Sequence, residues 1–350
     1  MAVDLTNFNP NDVGVKSYNI FGLPFSEEDS EVILVPVPWE VTVSYRHGTS
    51  TGPENIFDAS VQVDLYDSDV LDGWKKGFFM QEVDKEIRRK SDYLRKCSEL
   101  IIAMLEEGGH IDDNQQLHKK LDEINNGSAY LNQWVYERSK SLLDRGKKVG
   151  IVGGEHSVPL GYIKALAEKY DNFGLLQIDA HADLREAYEG FKYSHASIMY
   201  NVLNEIPQVQ KLVQVGIRDY GDDELTMIRT EKNRVVTFFD RDLKEAEYEG
   251  QTWKALCEQI VDELPQNVYI SFDIDGLDPK LCPNTGTPVP GGFELEAIFY
   301  LFRVLHKSGR RIIGFDLNEV SCGQHSSDGI DAIVGARVLY KLCNWLVAQH

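Results

Sequence analysis

Two hydrophobic rhythms divide this chain. From Lys147 onward, short continuous apolar runs recur: Val149–Val152, Phe173–Ile178, Leu212–Ile217, Val235–Phe239, Val268–Phe272 and Ile312–Leu317. Val32–Val37 is an earlier run of the same kind. Runs of this length, rich in β-branched residues, predict strands buried on both faces. Amphipathic stretches separate them, predicting helices over Ser157–Tyr170, Asp222–Arg229, Trp253–Leu264, Glu294–Lys307 and Asp328–Val347. Alternation of buried strand and helix predicts an α/β fold, with a mostly parallel sheet covered on both sides. Pro36 lacks an N–H and is expected to end the first strand. Gly48, Gly52 and Pro53 mark a loop, and Pro53 is placed to open a helix.

Residues 84–145 follow the other rhythm. They are charged, with Leu94, Leu100, Ile101, Met104 and Leu105 at helical spacing and no strand between them. Gly108-Gly109 and Gly127-Ser128 are expected to break the helices. We read this stretch as a helical insertion within a single domain spanning residues 1–350, preceded by an irregular arm over 1–31.

Composition narrows the functional classes. The 350 residues are 42% hydrophobic and 26% charged, ordinary values for a soluble globular protein. The net charge of −20 disfavours nucleic acid or an anionic membrane as partner. It favours a small cationic ligand if the charge is focused near a site. Cys97, Cys257, Cys282, Cys322 and Cys343 are scattered and include no CxxC pair, which fits reduced thiols. The first residues hold no basic segment followed by an apolar run, and no apolar stretch approaches the roughly 18 residues of a membrane span. A cytoplasmic protein is the expectation.

Three apolar runs end in metal-ligand residue types. The first closes with Gly153-Gly154-Glu155-His156-Ser157. The second ends in Asp179-Ala180-His181-Ala182-Asp183, where in extended backbone the three polar residues share one face. The third ends in Asp273-Ile274-Asp275, with Asp278-Pro279 turning the chain. Bare carboxylates at the end of a core strand are costly to bury, and divalent cations satisfy them. In parallel sheets, ligands gather at the carboxyl ends of strands. Two histidines and four aspartates without cysteine suit manganese or a similar first-row ion and argue against structural zinc. Four carboxylates balance two divalent ions, and metal-bound water ionises near neutral pH, so the set points to hydrolysis.

The ordered series GGEHS, DAHADLR, YSHAS, SFDIDGLDP and DLNEVS resembles the ureohydrolases, the family of arginase and agmatinase, from about Val32 to the C-terminus outside residues 84–145. The resemblance implies a three-layer α/β/α arginase-like fold and a binuclear manganese centre. It implies that His156, Asp179, Asp183 and Asp273 hold one ion. Asp179, His181, Asp273 and Asp275 would hold the other, with Asp179 and Asp273 bridging. It further implies that a bridging hydroxide, oriented by Asp183, attacks the guanidinium carbon and that collapse expels an amine and leaves urea. His195 matches the family's proton-shuttling histidine. Glu319 matches the glutamate that pairs with the guanidinium, a planar cation suited to a carboxylate. Gly286–Gly292 resembles a loop beside the family's site. Trimers or hexamers are the implied assembly.

Arginases carry asparagine two residues after the DAHxD motif, whereas this chain has Arg185. Agmatine, cleaved to putrescine and urea, is therefore the expected substrate. Asp219 is a candidate contact for its distal amine. The stretch 84–145 could cover the site, and a small covered pocket would suit free guanidine, so a guanidinase is the alternative. An O/N ligand set does not by itself select manganese over nickel. A formimino substrate bearing carboxylates would need a basic cluster, for which only Arg46, Arg185 and Arg218 offer themselves. A two-metal phosphoesterase would need a phosphate-binding Arg/Lys cluster that is missing. A non-catalytic regulatory relative would be marked by loss of a ligand, and all six are present.

Overall fold

Every apolar run named above forms a strand in the computed structural model, which describes residues 5–348 apart from 7, 16, 112, 113 and 324–328. In chain order the elements are β1 (Val32–Val37), α1 (Gly52–Ser60), β2 (Phe78–Met80), α2 (Lys85–Glu106), α3 (Gln115–Asp144), β3 (Lys148–Gly153) and α4 (Leu160–Ala167). Then follow β4 (Phe173–Ile178), α5 (Ile198–Glu205), β5 (Val209–Ile217), α6 (Asp222–Thr230), β6 (Val235–Phe239), α7 (Asp240–Tyr248) and α8 (Trp253–Asp262). β7 (Asn267–Asp273), α9 (Leu295–Lys307), β8 (Arg311–Asn318) and α10 (Ile330–Val347) complete the set.

The strands form one eight-stranded sheet in the order β2-β1-β3-β8-β7-β4-β5-β6. All of its pairings are parallel. This order sets the site. β3, β8, β7 and β4 are consecutive neighbours, and theirs are the carboxyl ends that carry GGEHS, DLNEVS, SFDIDG and DAHAD. Motifs far apart in sequence thus meet at one sheet edge.

Apolar side chains of α1, α7, α8, α9 and α10 fill one face of the sheet. Those of α2 through α6 fill the other, giving three layers. The stretch 84–145 is part of that second layer: Ile87, Leu94 and Ile101 of α2 and Leu131 and Val135 of α3 are buried in it. No described helix is long and apolar enough to cross a membrane.

Several local expectations need correction. Gly127 does not break α3, which runs through it. A Cβ there would lie 2.2 Å from Leu94 Cδ1, so the glycine lets α2 and α3 cross closely. Gly161 does the same for α4, where a Cβ would lie 2.1 Å from the carbonyl oxygen of Asn132. Pro36 lies inside β1, paired with Val152, but on the other side the β1–β2 ladder spans only Val32–Leu34. The proline therefore sits where β1 has one neighbour. β2, α5 and α7 had no prediction, β2 because three residues carry no usable period. Asp328, expected to begin the last helix, lies outside the described residues.

Candidate metal centre

Backbone turns, more than strand alternation, bring the ligand-type side chains together. β4 ends at Ile178, before the DAHAD motif begins. Asp183 takes a left-handed φ of 55°, and its carbonyl accepts from Met199 N (3.0 Å) and Tyr200 N (3.1 Å) in the first turn of α5. Asp273 ends β7, and Asp275 follows in a single 3₁₀ turn, Ile274–Gly276. The expected shared face is thus reached by a different backbone path.

The resulting cluster is dense. His156 Nδ1 lies 3.0 Å from Asp179 Oδ2, 3.0 Å from Asp183 Oδ2 and 3.3 Å from Asp273 Oδ2. His181 Nδ1 lies 3.0 Å from Asp275 Oδ2 and 3.6 Å from Asp179 Oδ1. Two potential ion cradles result, His156–Asp179–Asp183 and Asp179–His181–Asp275, with Asp179 common to both. The four aspartates and His156 are buried, and His181 is half-buried.

Supporting bonds fix the ligand orientations. Asp179 accepts from Gln177 Nε2 (2.8 Å) and His181 N (2.7 Å). Gln177 in turn accepts from Gln214 (2.7 Å), and Gln214 from Thr237 (2.8 Å), a relay across β4, β5 and β6. Asp275 accepts from Ala180 N (3.0 Å), and Asp273 from Asp275 N (2.9 Å). Ser271 Oγ donates to Asp316 Oδ1 (3.0 Å) and contacts His156 Nε2 at 2.9 Å. Its single proton goes to Asp316, so it accepts from His156 Nε2–H, and Nδ1 is left as a bare lone pair.

That accounting tests the site for metal. In the neutral ring, a lone pair on Nδ1 facing three carboxylate oxygens is repulsive unless a positive charge, a proton or a metal ion, stands among them. The electrostatics agree. Burial and then Asp179 push Asp183 up to about 7. Burial, Asp275 and Asp179 push Asp273 well above the carboxylate range. Burial works against a charged His156, but its three carboxylate partners raise it well above an ordinary imidazole. Such a site binds positive charge, and divalent ions displace the protons. The donor set fits two of them.

The other expected residues surround this centre. His195 opens a 3₁₀ turn before α5 and lines the cleft above the cluster. Burial and the neighbouring His181 and His156 lower its basicity. Glu319 is buried with φ 63° and accepts from His156 N at 2.8 Å. It lies beside Gly286, whose Cβ would come within 3.2 Å of Glu319 Oε2. Glu155 is buried, pushed up to about 7 by burial, and accepts from Thr42 and Ser157. Gln177, Ser271 and Asp316 were missed as supporting residues. Each had a signal: a polar residue inside an otherwise apolar strand. Gln214 carried the same mark, whereas Thr42 in its loop had none.

The cleft has a volume of about 270 Å³ and is walled by Tyr45, Tyr188, Asp219 and Tyr220 above His181 and Asp183. All three arginines considered for anion binding are committed. Arg46 donates to Pro283 O (2.7 Å). Arg185 pairs with Glu224 (3.6 Å) and stacks on Tyr188. Arg218 donates to the carbonyls of Asp275 (2.6 Å), Leu277 (3.2 Å) and Val289 (3.0 Å).

Comparison with known proteins places these features. The sequence model described as the arginase family matches residues 30–344. The chain is 30% identical over 322 residues to the N(1)-aminopropylagmatine ureohydrolase of Synechocystis sp., covering 91% of this chain and 90% of that protein. It is 30% identical over 318 residues to the agmatinase of Proteus mirabilis, covering 90% and 87%. The agmatine ureohydrolase of Thermoplasma volcanium shares the fold, with TM-score 0.67 and 22% identity over 98% of this chain and 97% of that one. Proclavaminate amidino hydrolase from Streptomyces clavuligerus gives 0.68 and 22% over 96% and 99%.

Proposed function

The chain belongs to the arginase family of ureohydrolases, and from that premise we propose that it hydrolyses agmatine to putrescine and urea. The observation that carries the reading is the cleft. It is lined by His181 and Asp183 together with Asp219 and aromatic rings, and Arg185 is already paired. A cationic chain with a distal amine suits such a wall, whereas an amino-acid head or a carboxylated formimino compound finds no uncommitted arginine among those considered. At about 270 Å³ the cleft is also larger than free guanidine needs, so guanidinase takes second place. The relatives named for N(1)-aminopropylagmatine support one further reading, an agmatine extended by an aminopropyl arm. Asp219 and Tyr220 on the cleft wall support it as partners for an added amine.

His156, Asp179, Asp183, Asp273, His181 and Asp275 would hold two divalent ions, manganese in this proposal with nickel the alternative. When bound, these ions supply an activated water at neutral pH. Among the chain's own groups, Asp183 would help to orient the attacking water. Glu319 pairs with the guanidinium through Oε2, the oxygen beside Gly286. His195, held neutral by its surroundings, accepts and returns the proton that the departing amine requires. We further propose a cytoplasmic homo-oligomer, a trimer or hexamer, which sedimentation would reveal.

Urea release tests the reading. Protein loaded separately with Mn²⁺ and Ni²⁺ is given agmatine, N(1)-aminopropylagmatine, guanidine and arginine. Putrescine and urea from agmatine are the expected products. Faster release from the aminopropyl compound would move the assignment to that longer substrate. Release from guanidine alone would mean that the cleft is not the substrate channel. Silence on all four would overturn the guanidino-hydrolase reading.

A further inference from the structure

The loop after β1 is lashed to α2 residue by residue. Glu40 N donates to Ser91 Oγ at 2.9 Å. Val41 O accepts from Ser98 Oγ and, at 3.4 Å, from Arg95 Nη1, which also donates to Val43 O. Three consecutive turns of α2 therefore hold the backbone on both sides of one residue, Thr42. That residue is fully buried, and it meets two groups at once.

On one side, Thr42 N donates to Glu155 Oε2 at 2.7 Å and Thr42 Oγ1 donates to Glu155 Oε1 at 3.0 Å. Ser157 Oγ donates to the same carboxylate at 2.7 Å. On the other side, His195 N donates to Thr42 Oγ1 at 3.0 Å, and His195 Nδ1 lies 3.2 Å from it. A threonine hydroxyl has one proton and two lone pairs. The proton is directed to Glu155, which accepts from three donors. One lone pair takes the His195 amide. The remaining one can only accept, so the ring must donate to it from Nδ1.

We propose that Thr42, clamped between Glu155 and α2, is the positioning residue that fixes neutral His195 as its Nδ1–H tautomer and leaves Nε2 as the nitrogen that receives a proton. The inference deepens the proposed function, since it rests on proton transfer by His195 in that reaction. It also gives residues 84–145 a role at the site: α2 supplies the rigid rail, and Arg95, with its reach to two carbonyls, is the principal fastening.

The test combines kinetics with a measurement independent of turnover. Thr42→Val removes the hydroxyl at nearly constant volume. It should lower kcat by roughly 10-fold or more with little change in KM and with both metals retained, because correct protonation of a transfer group governs the chemical step. Thr42→Ser should restore kcat, and Arg95→Ala should lower it in the same pattern. A Val variant with wild-type kcat, or a Ser variant as slow as Val, would overturn the proposal. In protein loaded with diamagnetic Zn²⁺ and labelled with ¹⁵N-histidine, the His195 signals are assigned by their loss in His195→Gln. The ring should show a protonated Nδ1 and a bare Nε2 in wild type, and lose that preference in Thr42→Val. A protonated Nε2 in the wild-type ring would refute the inference whatever the substrate proves to be. Absence of urea release with the expected tautomer would instead sink the proposed reaction and leave the positioning role standing.

Discussion

Aspartates gather in two places in this molecule, and their neighbours treat them oppositely. At the far side of α10, Asp67 and Asp69 meet Lys341 at 2.7 and 2.8 Å. Asp69 also takes a two-pronged contact from Arg303 at 2.7 and 3.0 Å, and Asn344 donates to Asp67 at 3.1 Å. Two carboxylates are answered there by two cationic side chains from the fold itself. At the sheet edge, Asp179, Asp183, Asp273 and Asp275 are more deeply packed, and among the described residues only His156 and His181 form charge pairs with them. The first cluster is electrically complete and can serve as a structural lock. The second is complete only with cations from outside. Acidic residues alone do not distinguish a binding centre from a clamp; the presence or absence of the protein's own counter-charge does.

That contrast is broken most severely by removing a carboxylate from the open cluster. Asp273→Ala should lose metal and activity together, by more than the roughly 10- to 100-fold that loss of an outer-shell partner costs. Metal analysis alongside urea release checks it, and a variant that still held two ions per chain would remove Asp273 from the ligand set. His195→Ala sharpens the contrast from the other side. It should keep both ions while turnover falls by about 100-fold, in the range of a lost acid–base group. If the rate were unchanged across the pH range, the assignment of His195 would be wrong.

The open cluster was legible in the sequence because each strand carried its ligands within a few residues of its own end. Parallel-sheet logic then required those ends to meet, and the order β3-β8-β7-β4 brings them together. The path was less legible. DAHAD converges through the left-handed turn at Asp183, which no spacing rule announces. The clamp was invisible, since Asp67 and Asp69 find partners 234 or more residues away on two different helices. The Thr42–Glu155–His195 arrangement was hidden for the same reason: it joins the loop after β1 to two distant motifs, and only packing brings them into contact. Gly127 misled because a glycine that permits a close helix crossing has the same sequence appearance as one that ends a helix.

The smallest predicted effect concerns the complete cluster. Hydrogen bonding from Arg303, with Lys341 adding to it, holds the Asp69 carboxyl down at about 2 against an ordinary 3.8. A folded-state pKa below the unfolded one means that the pair stabilises the protein above pH 3.8 and that this contribution is lost as pH falls toward 2. The shift is worth at most about 2.5 kcal/mol, and with solvent screening about 1 kcal/mol remains. Asp69→Asn should therefore lower stability by about 1 kcal/mol near neutral pH, with the deficit shrinking once pH falls below 4. Urea titrations of both chains in metal-free form measure it. Metal content and kcat should stay at the wild-type level, because Arg303 and Lys341 answer Asp69 at a distance from the open cluster. If Asp69→Asn instead released metal, the two clusters would be coupled, and the division between a self-neutralised clamp and a cation-requiring centre would not hold.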